Sequence, residues 1–222
     1  MKSRIIPTLF ALNKKEFDDK LEKLSFLNEL HIDLMDGKFV DNKSVDIKSI
    51  DKINEYKNID FQIHLMVNNP NNYFDKIKKY PNIKTVFLHI ESFSHSSELE
   101  DSIIQFKDSH FKVGLVLNPD TRIQEIIMYL NEIDSIMLMS VYPGAEGQKF
   151  IVDVLDKVRE LRKYGFIGNI QIDGGINNKT IVMSKFAGVN VFCVGSYVSG
   201  GDDTKEKYEK LLKLVWELLK NE

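Results

Sequence analysis

The chain of 222 residues has few of the features that mark secreted or membrane proteins. It contains one cysteine, Cys193, which cannot form a disulfide within the chain and fits a reducing compartment. No segment approaches the roughly 18 consecutive apolar residues of a membrane span. The first residues lack the apolar core and cleavage site of a signal peptide. These absences predict a cytoplasmic protein without a membrane partner.

An excess of basic residues is also lacking. The net charge is −3 and the isoelectric point is about 6.0, so no basic surface for nucleic acid is expected. Hydrophobic residues make up 43% of the chain, which is enough for a large core. The length lies within the range of one α/β barrel. We therefore expect a single domain over residues 1–222.

What the sequence does contain is a repeated alternation of apolar strands and amphipathic helices. The predicted strands are Arg4–Leu9, Glu29–Met35, Ile59–Met66, Thr85–His89, Lys112–Leu117, Ser135–Ser140, Asn169–Asp173 and Val189–Gly195. The predicted helices are Lys14–Leu27, Ile47–Tyr56, Pro70–Lys79, Glu98–Asp108, a segment from Thr121 through Leu130, Val152–Tyr164, Lys179–Ala187 and Lys205–Lys220.

Eight β–α units predict a closed (β/α)8 TIM barrel with a parallel sheet. The alternative is an open doubly wound sheet. That fold would need fewer strands or a glycine-rich nucleotide turn after the first strand. The segment Pro7-Thr8-Leu9-Phe10 is not such a turn.

Histidines and aspartates recur at the ends of three predicted strands. His31 and Asp33 share one strand face because strand side chains alternate with period two. His64 lies near the end of the next strand, and Asp173 ends the seventh. A buried strand face rarely carries such residues unless they bind a metal or move protons. Two histidines and two aspartates are the ligand set of an oxygen/nitrogen metal site.

Over essentially its whole length, the chain resembles ribulose-phosphate 3-epimerases. The motifs that carry the resemblance are Ile6-Pro7-Thr8, His31-Ile32-Asp33-Leu34-Met35-Asp36-Gly37, His64-Leu65-Met66-Val67, Gly114-Leu115-Val116-Leu117-Asn118-Pro119, Met139-Ser140-Val141-Tyr142-Pro143-Gly144, Asp173-Gly174-Gly175 and Gly195-Ser196. Their order and spacing are specific together, although none would suffice alone.

The resemblance implies an enzyme that interconverts D-ribulose 5-phosphate and D-xylulose 5-phosphate, a step of the pentose phosphate pathway. It implies one divalent cation (zinc, iron(II) or manganese) on His31, Asp33, His64 and Asp173. It assigns Asp33 and Asp173 as the two acid–base residues that invert C3 through a metal-stabilised enediolate. Members are often homo-oligomers, so a homo-oligomer is expected here.

The substrate pocket implied by the resemblance is built from strand ends and glycine-containing loops. Its expected residues are Thr8, Met35, His64, Met66, Met139, Gly144, Ala145, Glu146, Gly147, Asp173, Gly174, Gly175, Gly195 and Ser196. The methionines either line the reacting carbons or simply pack in the core. No lysine or arginine is expected in the last two loops near Gly174-Gly175 or Gly195-Ser196, so backbone N–H groups and a helix N-terminus are expected to hold the phosphate.

The chain departs from the family pattern in the loop Gly144-Ala145-Glu146-Gly147, where Gly-Phe-Gly-Gly is usual. Glu146 brings a negative charge towards the expected phosphate. An epimerase for allulose 6-phosphate or a similar hexulose phosphate is therefore the runner-up.

Other classes fit less well. Orotidine-phosphate and keto-gulonate-phosphate decarboxylases share the barrel but need Asp-x-Lys-x-x-Asp at a strand end, and Met35 stands where that lysine belongs. A Schiff-base aldolase needs a lysine at a strand's carboxyl end, whereas Lys84 and Lys112 open their strands. A non-catalytic phosphosugar-binding barrel would be expected to lose a metal ligand or an acid–base aspartate, and all four residues are present.

Overall fold

The structure, a computed structural model, describes residues 3–219, and its centre is a closed parallel barrel of eight strands. The strands are β1 (Arg4–Leu9), β2 (Glu29–Met35), β3 (Asp60–Met66), β4 (Ile83–His89), β5 (Lys112–Leu117), β6 (Ser135–Met139), β7 (Asn169–Asp173) and β8 (Val191–Val194). Each strand pairs with its neighbours in chain order, and β8 closes the barrel on β1. The predicted TIM barrel is confirmed, and the open sheet is excluded.

The α-helices surround this barrel. They are α1 (Lys14–Leu24), α2 (Phe74–Ile77), α3 (Ser96–Asp108), α4 (Val154–Lys163), α5 (Thr180–Ala187), α6 (Ser196–Ser199) and α7 (Thr204–Leu219). Short 3-10 helices cover Ile47–Ser49, Asp51–Glu55, Pro70–Tyr73, Ile90–Ser92, Ile123–Glu125 and Ile127–Tyr129. Within residues 3–219, no helix is both long enough and apolar enough to cross a membrane.

Two of the predicted helices are not α-helical. The segment 47–56 forms two 3-10 helices, and its Ser, Asp and Asn residues are of types that disfavour the interior of an α-helix. Asp46 caps the first of the two by accepting a hydrogen bond from the backbone N–H of Lys48. The segment 121–130 also forms two 3-10 turns, and its β-branched isoleucines disfavour a regular helix.

Strand alternation separates the two sides of the barrel wall. On β2, Ile32 and Leu34 belong to the large apolar cluster between the barrel and the helices. His31 and Asp33 point to the inside and pair in register with Gln62 and His64 of β3. The sequence pattern therefore places polar side chains in one buried layer near the carboxyl ends of the strands, where TIM barrels build their active sites.

Candidate metal centre and substrate pocket

The four residues predicted as ligands form one buried cluster. His31 and His64 are fully buried, and Asp33 and Asp173 are less than a tenth exposed. One ligand atom from each residue lies within 4.8 Å of the others. The strands β2, β3 and β7 thus bring together the four side chains that the sequence singles out.

The spacing of the donor atoms matches a cation site. Nδ1 of His64 lies 2.9 Å from Oδ1 of Asp33 and 3.7 Å from Oδ2 of Asp173. Nε2 of His31 lies 3.4 Å from Oδ1 of Asp33. Tetrahedral coordination with bonds of about 2.0–2.2 Å separates ligand atoms by roughly 3.3–3.6 Å. The cluster is therefore close to the geometry that a divalent metal needs.

The tautomer of His31 also fits a metal. Gln62 donates through Nε2 to Glu29 (3.0 Å), so Oε1 of Gln62 is left to accept from Nδ1 of His31 at 3.3 Å. Gln171 donates to the same Oε1. With its proton on Nδ1, His31 has a lone pair on Nε2, and this buried atom has no hydrogen-bond partner among residues 3–219. A buried lone pair without a partner, 3.4 Å from a carboxylate oxygen of Asp33, is an arrangement that a cation satisfies.

The two aspartates have different proton affinities. Burial alone would raise the pKa of Asp33, but the imidazoles of His31 and His64 hold it well below its usual range when protons, rather than a cation, are on the nitrogens that face it. Burial and the nearby charge of Asp33 raise the pKa of Asp173 to about 6. A bound cation would lower both values. Two carboxyl groups with separated pKa values are suited to opposite roles in proton transfer.

A cavity of about 590 Å³ opens above the cluster. Apart from the fully buried His64, which does not line it, the residues expected to contact substrate all line this cavity: Thr8, Met35, Met66, Met139, Gly144, Ala145, Glu146, Gly147, Asp173, Gly174, Gly175, Gly195 and Ser196. The hydroxyl oxygen of Thr8 is buried there without a hydrogen-bond partner in the described part of the chain. The cavity is therefore continuous with the metal cluster through Asp33 and Asp173.

Glu146 turns into this cavity. Its Oε2 lies 3.8 Å from Nζ of Lys20, and its Oε1 lies 2.7 Å from where a Cβ on Gly195 would be. The backbone N–H of Ser196 donates to its carboxylate, while burial raises its pKa. A side chain at position 195 would therefore displace the carboxylate of Glu146 from this position.

Sequence reasoning missed several groups around the pocket. Lys149 and Lys179 are among the lining residues, so cationic groups are available near the phosphate end. Lys179 lies between β7 and α5, in the segment that begins with Gly174-Gly175, so the expectation of no lysine in this loop is wrong. The short helix α6 was not predicted, because four residues are too few for a periodic signal. Tyr197 of α6 also lines the cavity. The lysine at position 179, four residues after Gly175, was the available sequence signal.

Cys193 plays no part in this chemistry as a nucleophile. It is buried and free, and burial raises the pKa of its thiol to about 11. The side chain is therefore protonated at neutral pH, as expected for a small buried residue.

Comparison with known proteins agrees with this geometry. The model of the Ribulose-phosphate 3 epimerase family matches residues 4–199. The chain belongs to the ribulose-phosphate 3-epimerase family. Ribulose-phosphate 3-epimerase from Helicobacter pylori (strain J99) is 32% identical over 212 residues, which are 94% of this chain and 96% of that protein. The enzyme of that name from Bacillus subtilis (strain 168) is 32% identical over 187 residues, covering 82% and 84% of the two chains.

Solved structures that resemble this family member confirm the barrel. The 3-hexulose-6-phosphate synthase from Salmonella typhimurium has a TM-score of 0.71 at 16% identity, covering 96% of this chain and 99% of that chain. The protein named KGPDC from Streptococcus mutans has a TM-score of 0.69 at 11% identity, covering 98% and 99%. At these identities the likeness shows the fold alone.

Proposed function

We propose that this member of the ribulose-phosphate 3-epimerase family interconverts D-ribulose 5-phosphate and D-xylulose 5-phosphate as a metal-dependent isomerase of the pentose phosphate pathway. The observation that carries the proposal is the buried cluster of His31, Asp33, His64 and Asp173 below a phosphosugar-sized cavity. A cytoplasmic location and a homo-oligomer formed from single-domain subunits are part of the same proposal. Product formation from ribulose 5-phosphate by the purified, metal-loaded protein is the experiment that tests it.

Inversion at C3 needs one group that removes a proton from the carbon and another that returns one to the opposite face. Asp33 and Asp173 lie on β2 and β7, and both line the cavity. The carboxylate of Asp33 would accept the C3 proton, and a protonated Asp173 would donate one to the opposite face. The roles exchange in the reverse reaction. A bound divalent metal would supply Lewis-acid stabilisation of the negative charge on the substrate oxygens.

The methionines suit the wall around the reacting carbons. Met35, Met66 and Met139 are nearly fully buried, yet each lines the cavity. Their apolar, flexible side chains would exclude water from the enediolate while fitting the sugar. Thr8 would offer its free hydroxyl to a sugar oxygen. At the other end of the cavity, the backbone of Gly174, Gly175, Gly195 and Ser196 would receive the phosphate.

A second candidate substrate is allulose 6-phosphate or another hexulose phosphate. The observation that favours it is the side chain of Glu146, which lies where the family's usual sequence has a glycine. This carboxylate changes the shape and charge of the phosphate end without touching the metal cluster. Initial rates on both sugars distinguish the two assignments.

Glu146 gives a direct prediction for binding. We expect Glu146→Gly to tighten phosphosugar binding by on the order of 1 kcal/mol, because a like charge is removed from a partly screened loop. This corresponds to a KM that falls by about fivefold, measured by steady-state kinetics.

Glu146→Gln is the matched variant, since it keeps the size of the side chain and removes only the charge. A comparable drop in KM for this variant identifies charge as the cause. Unphosphorylated D-ribulose serves as the control ligand, and its binding should not tighten. If KM stayed constant for every phosphosugar, the carboxylate would have no influence on the phosphate.

A further inference from the structure

The imidazole of His64 is part of a longer chain of buried polar groups. Its Nε2 lies 2.9 Å from Nε2 of His89, and the two rings are stacked with centroids 5.0 Å apart. Nδ1 of His89 lies 3.1 Å from Oε2 of Glu91. His89 is fully buried at the end of β4, and Glu91 lies in the 3-10 turn that follows.

Only one arrangement of protons lets His64 hold a metal through Nδ1. The proton of His64 must then be on Nε2, so Nε2 of His89 must accept it. A neutral His89 that accepts on Nε2 carries its own proton on Nδ1 and donates it to Glu91. The carboxylate of Glu91 has no proton to donate, so His89 must donate to Glu91 and His64 must donate to His89.

The orientation of Glu91 is fixed by groups on its other side. The backbone N–H of Asn118 donates to Oε1 at 2.7 Å, and the hydroxyl of Thr121 donates to the same atom. Lys157 of α4 donates to the backbone carbonyls of residues 118, 119 and 121, at 2.9, 2.6 and 2.6 Å, which holds this loop in place. Oε1 of Glu91 is therefore held by the loop, and Oε2 is left for His89.

We propose that Glu91, acting through His89, is a positioning residue that sets the tautomer of His64 and thereby the affinity of the metal centre. The inference rests on the metal site of the proposed function. It goes beyond that proposal by assigning a role to two residues that contact neither the cation nor the substrate.

Replacing Glu91 with glutamine gives the sharpest test, because the amide should reverse the direction of the hydrogen bonds that link Glu91, His89 and His64. In Glu91→Gln, the backbone N–H of Asn118 can only donate, so it requires the amide oxygen at the Oε1 position. The amide NH2 then faces His89 and donates to its Nδ1. His89 would carry its proton on Nε2 and donate to His64, whose own proton would move to Nδ1, where the metal must bind.

The measurement is the dissociation constant of Zn²⁺ for the full-length protein, obtained by competition with a chromophoric chelator. We expect Glu91→Gln to weaken Zn²⁺ binding by about 10- to 100-fold, the usual effect of losing an outer partner of a histidine ligand. Glu91→Ala should weaken Zn²⁺ binding less, because alanine removes the preference for one tautomer of His64 without imposing the other. Glu209→Gln, the same substitution at an exposed position of α7 outside the ligand cluster and the cavity lining, is the control and should bind Zn²⁺ within about threefold of the wild type.

A purely structural role for Glu91 predicts the opposite order, since glutamine fills the same space as glutamate and alanine leaves a void. Zn²⁺ affinity of Glu91→Gln equal to that of the wild type, or higher than that of Glu91→Ala, would overturn the inference and leave the metal site standing. A wild-type protein that binds no Zn²⁺ would overturn both the inference and the metal site. Circular dichroism of each variant shows that the comparison is made between folded proteins.

Discussion

Asp33→Asn and Asp173→Asn are each expected to lower the rate of epimerisation by a factor of about a hundred to ten thousand, the usual range for lost acid–base catalysis. An amide cannot take up or release the C3 proton, and each aspartate faces the cavity at the metal cluster. The measurement is kcat on ribulose 5-phosphate with the metal content of each variant determined in parallel. Asp60→Asn, at the exposed opposite end of β3, is the control and should keep wild-type activity.

Metal content separates this account from a simpler one in which both aspartates only hold the cation. In the simpler account, a variant that retains its metal also retains its rate. In the two-aspartate account, an Asp173→Asn protein with a full complement of metal is still slow. Nearly full epimerisation by such a protein would exclude proton transfer by Asp173.

Removal of the metal is expected to abolish the activity altogether. The orphaned Nε2 of His31 and the donor spacing of 2.9–3.7 Å around Asp33 and His64 indicate a site for one cation. Elemental analysis of protein purified without chelator should show about one divalent transition metal per chain. Excess chelator should remove activity, and addition of zinc, iron(II) or manganese should restore it. Full activity in a metal-free preparation would contradict the assignment.

The barrel and its polar cluster could be predicted because both follow from strand periodicity. A strand with period two places His31 and Asp33 on one face, and parallel strands bring their carboxyl ends to the same edge. The strand bounds β1, β2, β5 and β7 agree with the sequence prediction to the residue. Asp173 could be assigned to the cluster because the apolar run before it and the glycines after it mark the end of a strand.

The parts that could not be predicted depend on contacts between distant segments or on short turns. Lys20 of α1 reaches Glu146 across more than a hundred residues of sequence, and no local pattern signals that pairing. His89 ends a predicted strand, but its contact with His64 follows only from the pairing of β3 with β4. The turns at 47–56 and 121–130 were assigned as α-helices because a 3-10 turn leaves the same apolar spacing over so few residues.

The most direct test of the central claim is the fate of the C3 hydrogen in heavy water. The metal-loaded protein is incubated with D-ribulose 5-phosphate in D₂O, and the products are analysed by NMR and mass spectrometry. Because carboxyl protons exchange with solvent between turnovers, the account predicts D-xylulose 5-phosphate that carries deuterium at C3. Absence of both product and deuterium uptake, or product that retains the original hydrogen at C3, would contradict it.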